Sequence, residues 1–135
     1  MKRDNIWLEN RLRLIWQRYF VDLEQRNSIL IGFGKRARTR LGSIRYHKKS
    51  KTSIITISGY FKNLEIPEFV IDVVLAHELV HYLHGFSSPH SRAWQHPHQG
   101  GIVDREMKDR GLEEVLKLQK KWIKKNHAKY FSKQT

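Results

Sequence analysis

Val70-Ile71-Asp72-Val73-Val74-Leu75-Ala76-His77-Glu78-Leu79-Val80-His81-Tyr82-Leu83-His84 decides the reading of this chain. Its apolar residues fall on nearly every side of a 3.6-residue repeat, which marks a helix buried all round rather than one lying on a surface. Pro67 suits the helix N-terminus and Gly85 its stop. Asp72 interrupts the apolar run, which is in any case far short of the ~20 residues a bilayer span needs.

Within that helix stands His77-Glu78-Leu79-Val80-His81. Residues four apart on an α-helix lie about 40° from each other around the axis and one turn up, so the two imidazoles address one point. Two histidines and a glutamate on a buried helix cost several kcal/mol each unless paired or metal-bound, and one metal ion satisfies all three. Zinc takes imidazole nitrogen, and a catalytic zinc site keeps three protein ligands with a position left for water. Glu78, beside His77, is placed to act as general base toward that water. The pattern therefore predicts one zinc per chain, held by His77 and His81, with Glu78 catalytic.

The third ligand is not set by spacing. His84 is excluded, because His77, His81 and His84 together span about 10 Å of helix. His90, His96, His98 and Glu106 remain. His90 lies in Ser88-Pro89-His90, where Ser88 and Pro89 suit the N-cap and first position of a new helix.

Outward from this centre, Ile6 to Leu23 carries aromatic and aliphatic residues at helical spacing. The Ile-rich runs Ser28 to Phe33, Leu41 to Tyr46 and Ser53 to Ser58 read as three strands of an antiparallel meander. Beyond a polar stretch from Phe86 to Gly101, helices are expected over Ile102 to Arg110 and from Leu112 to about Lys129. The whole is one α+β domain, residues 1–135, a length that supports a single modest core. Residues 112–135 form a basic C-terminal helix or a segment that covers the cleft and holds the protein latent.

No cysteine is present, which excludes disulfides, cysteine zinc fingers and a thiol nucleophile. The N-terminus lacks the apolar run of a secretory signal, so a cytoplasmic protein with no membrane association is expected. The net charge of +13 is uneven: residues 1–60 hold 14 Lys and Arg against 4 acids, whereas residues 61–111 hold 5 against 7. The basic flanks suit non-specific contact with nucleic acid. Lys35, Arg36, Arg38 and Arg40 fall in one interstrand loop and Lys48, Lys49 and Lys51 in the next, which a meander puts at opposite ends of the sheet. Lys117, Lys120, Lys121, Lys124 and Lys125 are more contiguous.

From about Ile31 to Trp94 the chain resembles the SprT-like zinc metallopeptidases. The resemblance rests on Arg38-Thr39-Arg40-Leu41-Gly42-Ser43, the strand Ile54 to Ser58, the helix Val73 to His81, and Pro89-His90-Ser91-Arg92-Ala93-Trp94. In that family the histidine of a Pro-His-Gly segment is the third zinc ligand, which by resemblance assigns His90, although Ser91 stands where the glycine is usual. The chain is similar also to the minigluzincins, whose C-terminal segments can hold the enzyme latent. Both resemblances imply a minimal zincin-like domain with an open cleft below an edge strand, hydrolysing peptide bonds of protein substrates. The cysteine zinc ribbon frequent in SprT-like members is missing, so their role at DNA does not carry over. A basic nucleic-acid-binding protein with a structural zinc is the alternative, and Glu78 argues against it, since a structural site needs no carboxylate there.

Overall fold

The computed structural model describes residues 2–131. Helix α1 (Asn5–Tyr19) starts where the Asp4 carboxylate accepts the Trp7 N–H at 2.9 Å. It buries Leu8, Leu12 and Ile15. The helix ends four residues short of the expected Leu23, but the apolar repeat is still used: Phe20 and Leu23 turn into the core while the Trp16 indole donates to the Leu23 carbonyl. Arg11 on α1 grips Asp72 through two bonds of 2.6 and 2.7 Å, which accounts for the one acid in the apolar run of the central helix.

Strands β1 (Ile29–Phe33), β2 (Gly42–His47) and β3 (Thr52–Ile57) lie close to their expected positions. Their pairing is not a meander. The order is β1-β3-β2, with β1 parallel to β3 and β2 antiparallel to it. Composition supplies the reason. β3 is the strand whose residues are buried most evenly, Ile55 and Ile57 completely, so it takes the centre. β2 carries Arg45 and His47, and β1 is short, so both suit edges. The four residues between β2 and β3 close a hairpin, with Lys51 at φ 55°, whereas the longer link from β1 to β2 crosses the end of β3. The two basic loops still fall at opposite ends of the sheet.

Helix α2 (Glu68–Leu83) is the centre of the domain, with eleven buried residues. It packs against α1, β2, α3 (Ile102–Asp109) and α4 (Glu113–Tyr130). Its end is a Schellman turn: Gly85, at φ +83°, donates to Tyr82 O, and Phe86 donates to His81 O. A side chain at Gly85 is barred twice over, since a Cβ there would lie 2.5–2.6 Å from the backbone of residues 90–92. α3 ends in the same way at Gly111. No helix of the described residues is long and apolar enough to cross a membrane.

Of the segment 112–135, the described part ends at Phe131 and packs into the core, and residues 132–135 lie outside the described residues. Gln119 donates to the Val70 carbonyl from a buried position, and Phe131, fully buried, stands edge-on to Phe61 and Tyr60 at 5.4 Å. A chain ending at Leu112 is therefore expected to lose more than about 5 kcal/mol, comparable to the whole stability of a small domain. Far-ultraviolet circular dichroism should show it largely unfolded. A cooperative unfolding transition near that of the full chain would instead mark α4 as a detachable cover.

Candidate metal centre and cleft

His77 and His81 project from the same side of α2, as their spacing requires, with His81 buried and His77 half-buried. The third imidazole beside them is His98, from the long loop before α3. The Nε2 atoms are 3.0 Å (His77–His81), 3.2 Å (His77–His98) and 3.1 Å (His81–His98) apart. These three residues form a group able to hold a metal ion.

Two arguments favour an ion over a hydrogen-bonded cluster. A neutral imidazole nitrogen either donates one hydrogen bond or accepts, so three Nε2 atoms in mutual contact leave at least one pair facing donor to donor or lone pair to lone pair. Three lone pairs converging on one cation remove the conflict. The spacing also fits: nitrogens bound to a tetrahedral zinc at ~2.0–2.1 Å are ~3.3–3.4 Å apart, within a few tenths of an ångström of those seen. Burial, and then the neighbouring histidines, hold His77 down at about 4 and His81 at about 3, so both are the neutral imidazoles that ligation needs. His81 Nδ1 is buried with no hydrogen-bond partner among the described residues.

His90, the ligand implied by the family resemblance, is elsewhere. Its Nε2 donates to the Glu24 carbonyl at 2.6 Å, and its ring stands edge-on to Tyr82 at 5.1 Å. The helix expected after Ser88 does not form. The Ser88 hydroxyl is committed to the Tyr82 carbonyl at 2.7 Å, and the chain continues through bends. His90 thus ties this loop to the segment after α1, and its Nε2 is spent on that contact. Glu106 is spent likewise: it accepts from the buried His84 at 3.2 Å and from Arg110 at 3.0 Å, while Arg110 grips Asp22 with bonds of 2.6 and 2.9 Å. His96 does not belong to the cluster.

Glu78 lies at the floor of the site and is only 3% exposed. Burial raises its carboxyl to about 8 against an opposing pull from Arg40. The cleft above has two limbs that share His77, Glu78, His98, Arg40 and Gly42. One, of about 290 Å³, runs under β2 toward Phe86, Ser87 and Arg92. The other, of about 620 Å³, is walled by Leu116, Gln119, Lys120 and Ile123 of α4. Gly42 is what lets β2 approach: a Cβ there would meet Val74 at 2.5 Å and the Glu78 carboxylate at 3.1 Å. Arg40, Gly42 and Arg92 fall within the segments that carry the family resemblance, but their places on the cleft wall, like that of Ser87, come from tertiary approach that local spacing does not encode.

One of the two basic loops meets the C-terminal helix. His127 of α4 donates to the Arg38 carbonyl at 2.9 Å, so the loop holding Lys35, Arg36, Arg38 and Arg40 lies against the C-terminal helix. Lys117 pairs with Glu113, and Lys120 with Asp104. No protein-family model matches the chain, and comparison with curated proteins and with solved structures finds no match.

The acid and the imidazoles pull metal-free stability in opposite directions with pH. Glu78 is raised on folding, so its contribution is intact below its ordinary 4.5 and is lost as pH climbs toward 8. His77 and His81 are lowered, so theirs is complete above 6.5 and is lost as pH falls toward 4 and 3. Of these three groups only Glu78 changes between pH 6.5 and 8, by roughly 2 kcal/mol at ~1.4 kcal/mol per pH unit. Urea unfolding of metal-free protein should show that loss relative to Glu78→Gln, whose stability stays flatter. Parallel pH profiles for the two proteins would refute the assignment.

Proposed function

We propose that the chain is a zinc-dependent metallopeptidase of zincin-like design, with His77, His81 and His98 holding the metal and Glu78 as general base. The observation that carries this reading is the convergence of three imidazole nitrogens beside a buried glutamate at the floor of an open cleft. When bound, zinc supplies Lewis acidity toward a carbonyl oxygen and acidifies water. Glu78 contributes a carboxyl whose ordinary ionisation is opposed by burial, so a nearby cation favours the ionised form that accepts a proton and can later return it to a leaving amine.

The rest of the cleft suits an extended substrate. β2 is a sheet edge, and its Gly42–Ile44 segment lines the limb that holds Glu78. A peptide added along that edge gains main-chain hydrogen bonds that depend little on its sequence. Kinship with the SprT-like peptidases or minigluzincins is part of the same proposal, with His98 in place of His90 as the third ligand. A structural zinc in a nucleic-acid-binding protein remains the second reading, favoured by the contact that sets the Arg36–Arg40 loop against the basic helix. A carboxylic acid buried beside the imidazoles has no use in that reading.

Purified protein should carry about one zinc per chain, and His77→Ala, His81→Ala or His98→Ala should each weaken binding by at least two orders of magnitude. His90→Ala should retain the metal and lose some stability. Glu78→Gln should retain zinc and lose more than about 99% of peptidase activity, a typical cost of removing a general base. Metal analysis and hydrolysis of unfolded protein substrates check all five. Zinc loss in His90→Ala with retention in His98→Ala would restore the ligand set implied by resemblance, and full activity in Glu78→Gln would leave a structural site.

Duplex DNA, if bound through the joined basic surface, should give an affinity that falls with salt at a log–log slope near −0.9 per phosphate neutralised. Changing Arg36, Arg38, Lys124 and Lys125 to Gln should flatten that slope by roughly 3 to 4 and leave zinc content unchanged. Absence of any complex at low salt would remove nucleic acid as a partner.

A further inference from the structure

The cleft limb beneath β2 is bounded by two arginines. Arg40 enters from the loop before β2 and lines both limbs, and Arg92 lines the limb under β2 together with Phe86 and Ser87. Both are exposed, and among the described residues neither forms an ion pair. That sets them apart from Lys120 in the other limb, neutralised by Asp104 at 2.7 Å, and from Arg11 and Arg110, which are consumed in holding helices together.

Arg92 is held in place by its surroundings. Its backbone N–H lies against Gly85, where a Cβ would approach to 2.6 Å, and the Ala93 N–H donates to the His84 carbonyl at 2.9 Å. Its guanidinium carbon sits 4.8 Å from the centroid of the Phe86 ring, and Phe86 in turn stands edge-on to His81 at 6.4 Å. A guanidinium stacked on an aromatic ring keeps its in-plane N–H donors available, and those donors match the two oxygens of a carboxylate. At the same end the Ser87 hydroxyl donates to the Ile44 carbonyl at 3.2 Å, so part of the β2 edge is already occupied. A strand laid along β2 meets Ser87 and Arg92 where its main-chain pairing is interrupted.

We propose that Arg40 and Arg92 recognise a carboxylate of the substrate and make this cleft selective for peptides that present one close to the cleaved bond. The inference rests on the peptidase reading and adds the substrate class to it. Two sources supply the same chemistry, an Asp or Glu side chain and a free C-terminus, and both match two guanidinium groups lining the cleft limb that also holds the three imidazoles.

The test uses the zinc-loaded full-length chain and matched peptides differing only in Glu against Gln near the scissile bond, or in a free against an amidated C-terminus. At low salt kcat/KM should favour one carboxylate series by about tenfold, a charge-assisted pair in a partly open site. The preference should shrink as ionic strength rises. Arg40→Gln and Arg92→Gln should each bring the carboxylate-to-neutral ratio toward one, and Arg92→Lys should keep part of it. A preference confined to free termini identifies the terminal carboxylate, and one confined to Glu identifies an acidic side chain. Equal rates on all peptides overturn the proposal and leave the peptidase reading intact. If none of these peptides is cleaved, fluorescence anisotropy with zinc-loaded Glu78→Gln decides: an Arg92-dependent preference for carboxylate peptides upholds the recognition site, and its absence overturns it. Loss of the peptidase reading itself shows separately, as protein without zinc or as zinc protein inert toward every substrate.

Discussion

The burial of α2 is the constraint on which the rest of this structure depends. A helix with eleven buried residues needs apolar neighbours all round, and α1, β2, α3 and α4 supply them. Such an environment penalises a stray polar group. Most of those on α2 and its C-cap meet a specific arrangement: Asp72 meets Arg11, His84 meets Glu106, Tyr82 meets Asn27 and Arg26, and the pair His77 and His81 meets a third imidazole brought from outside the helix, while the Nδ1 atoms of His81 and His84 are buried with no partner among the described residues. Glu78 has the opposite solution, since its burial favours the neutral acid. The chemistry proposed for the cleft follows from these solutions, because groups kept from water respond strongly to a nearby cation.

Local signals carried the elements and missed how two of them associate. Pro67, Gly85 and Gly111 mark helix ends because φ restriction and left-handed backbone are local properties, and the ends fall within about two residues of expectation. The strand spans are legible for the same reason. Pairing is not local. Nothing within Ile29–Phe33 says whether it lies beside β2 or β3, and the parallel contact with β3 depends on which strand the core covers best. α1 shows a related limit: Phe20 and Leu23 keep the apolar period after the backbone has left the helix.

The site divides along the same line. His77, Glu78 and His81 share one helix, so a four-residue spacing suffices to bring them together. The third histidine comes from an irregular loop that holds His90, His96 and His98, and there spacing carries no geometric information. Side-chain competition decides: Glu24 O takes His90, Arg110 and His84 take Glu106, and His98 is left facing α2. The motif around Pro89 names His90 by resemblance, whereas the imidazole that meets His77 and His81 is His98, eight residues further along the same loop.

Ser87 has a consequence for the sheet as an object in solution. A three-stranded sheet has two rows of unpaired backbone groups, and such rows invite strands of other chains to join them. On β1 the Asn5 side chain accepts the Phe33 N–H at 2.9 Å, and on β2 the Ser87 hydroxyl takes the Ile44 carbonyl. Ser87 holds this post in left-handed backbone, φ 60°, with its own carbonyl anchored by Ser53 at 2.6 Å. Each margin therefore has one backbone group taken by a single side chain, Asn5 of α1 on β1 and Ser87 on β2. The loop that carries the β2 guard also carries His98, so an ion joining His98 to α2 would clamp that guard in place, and chelation would act on colloidal behaviour as well as on chemistry.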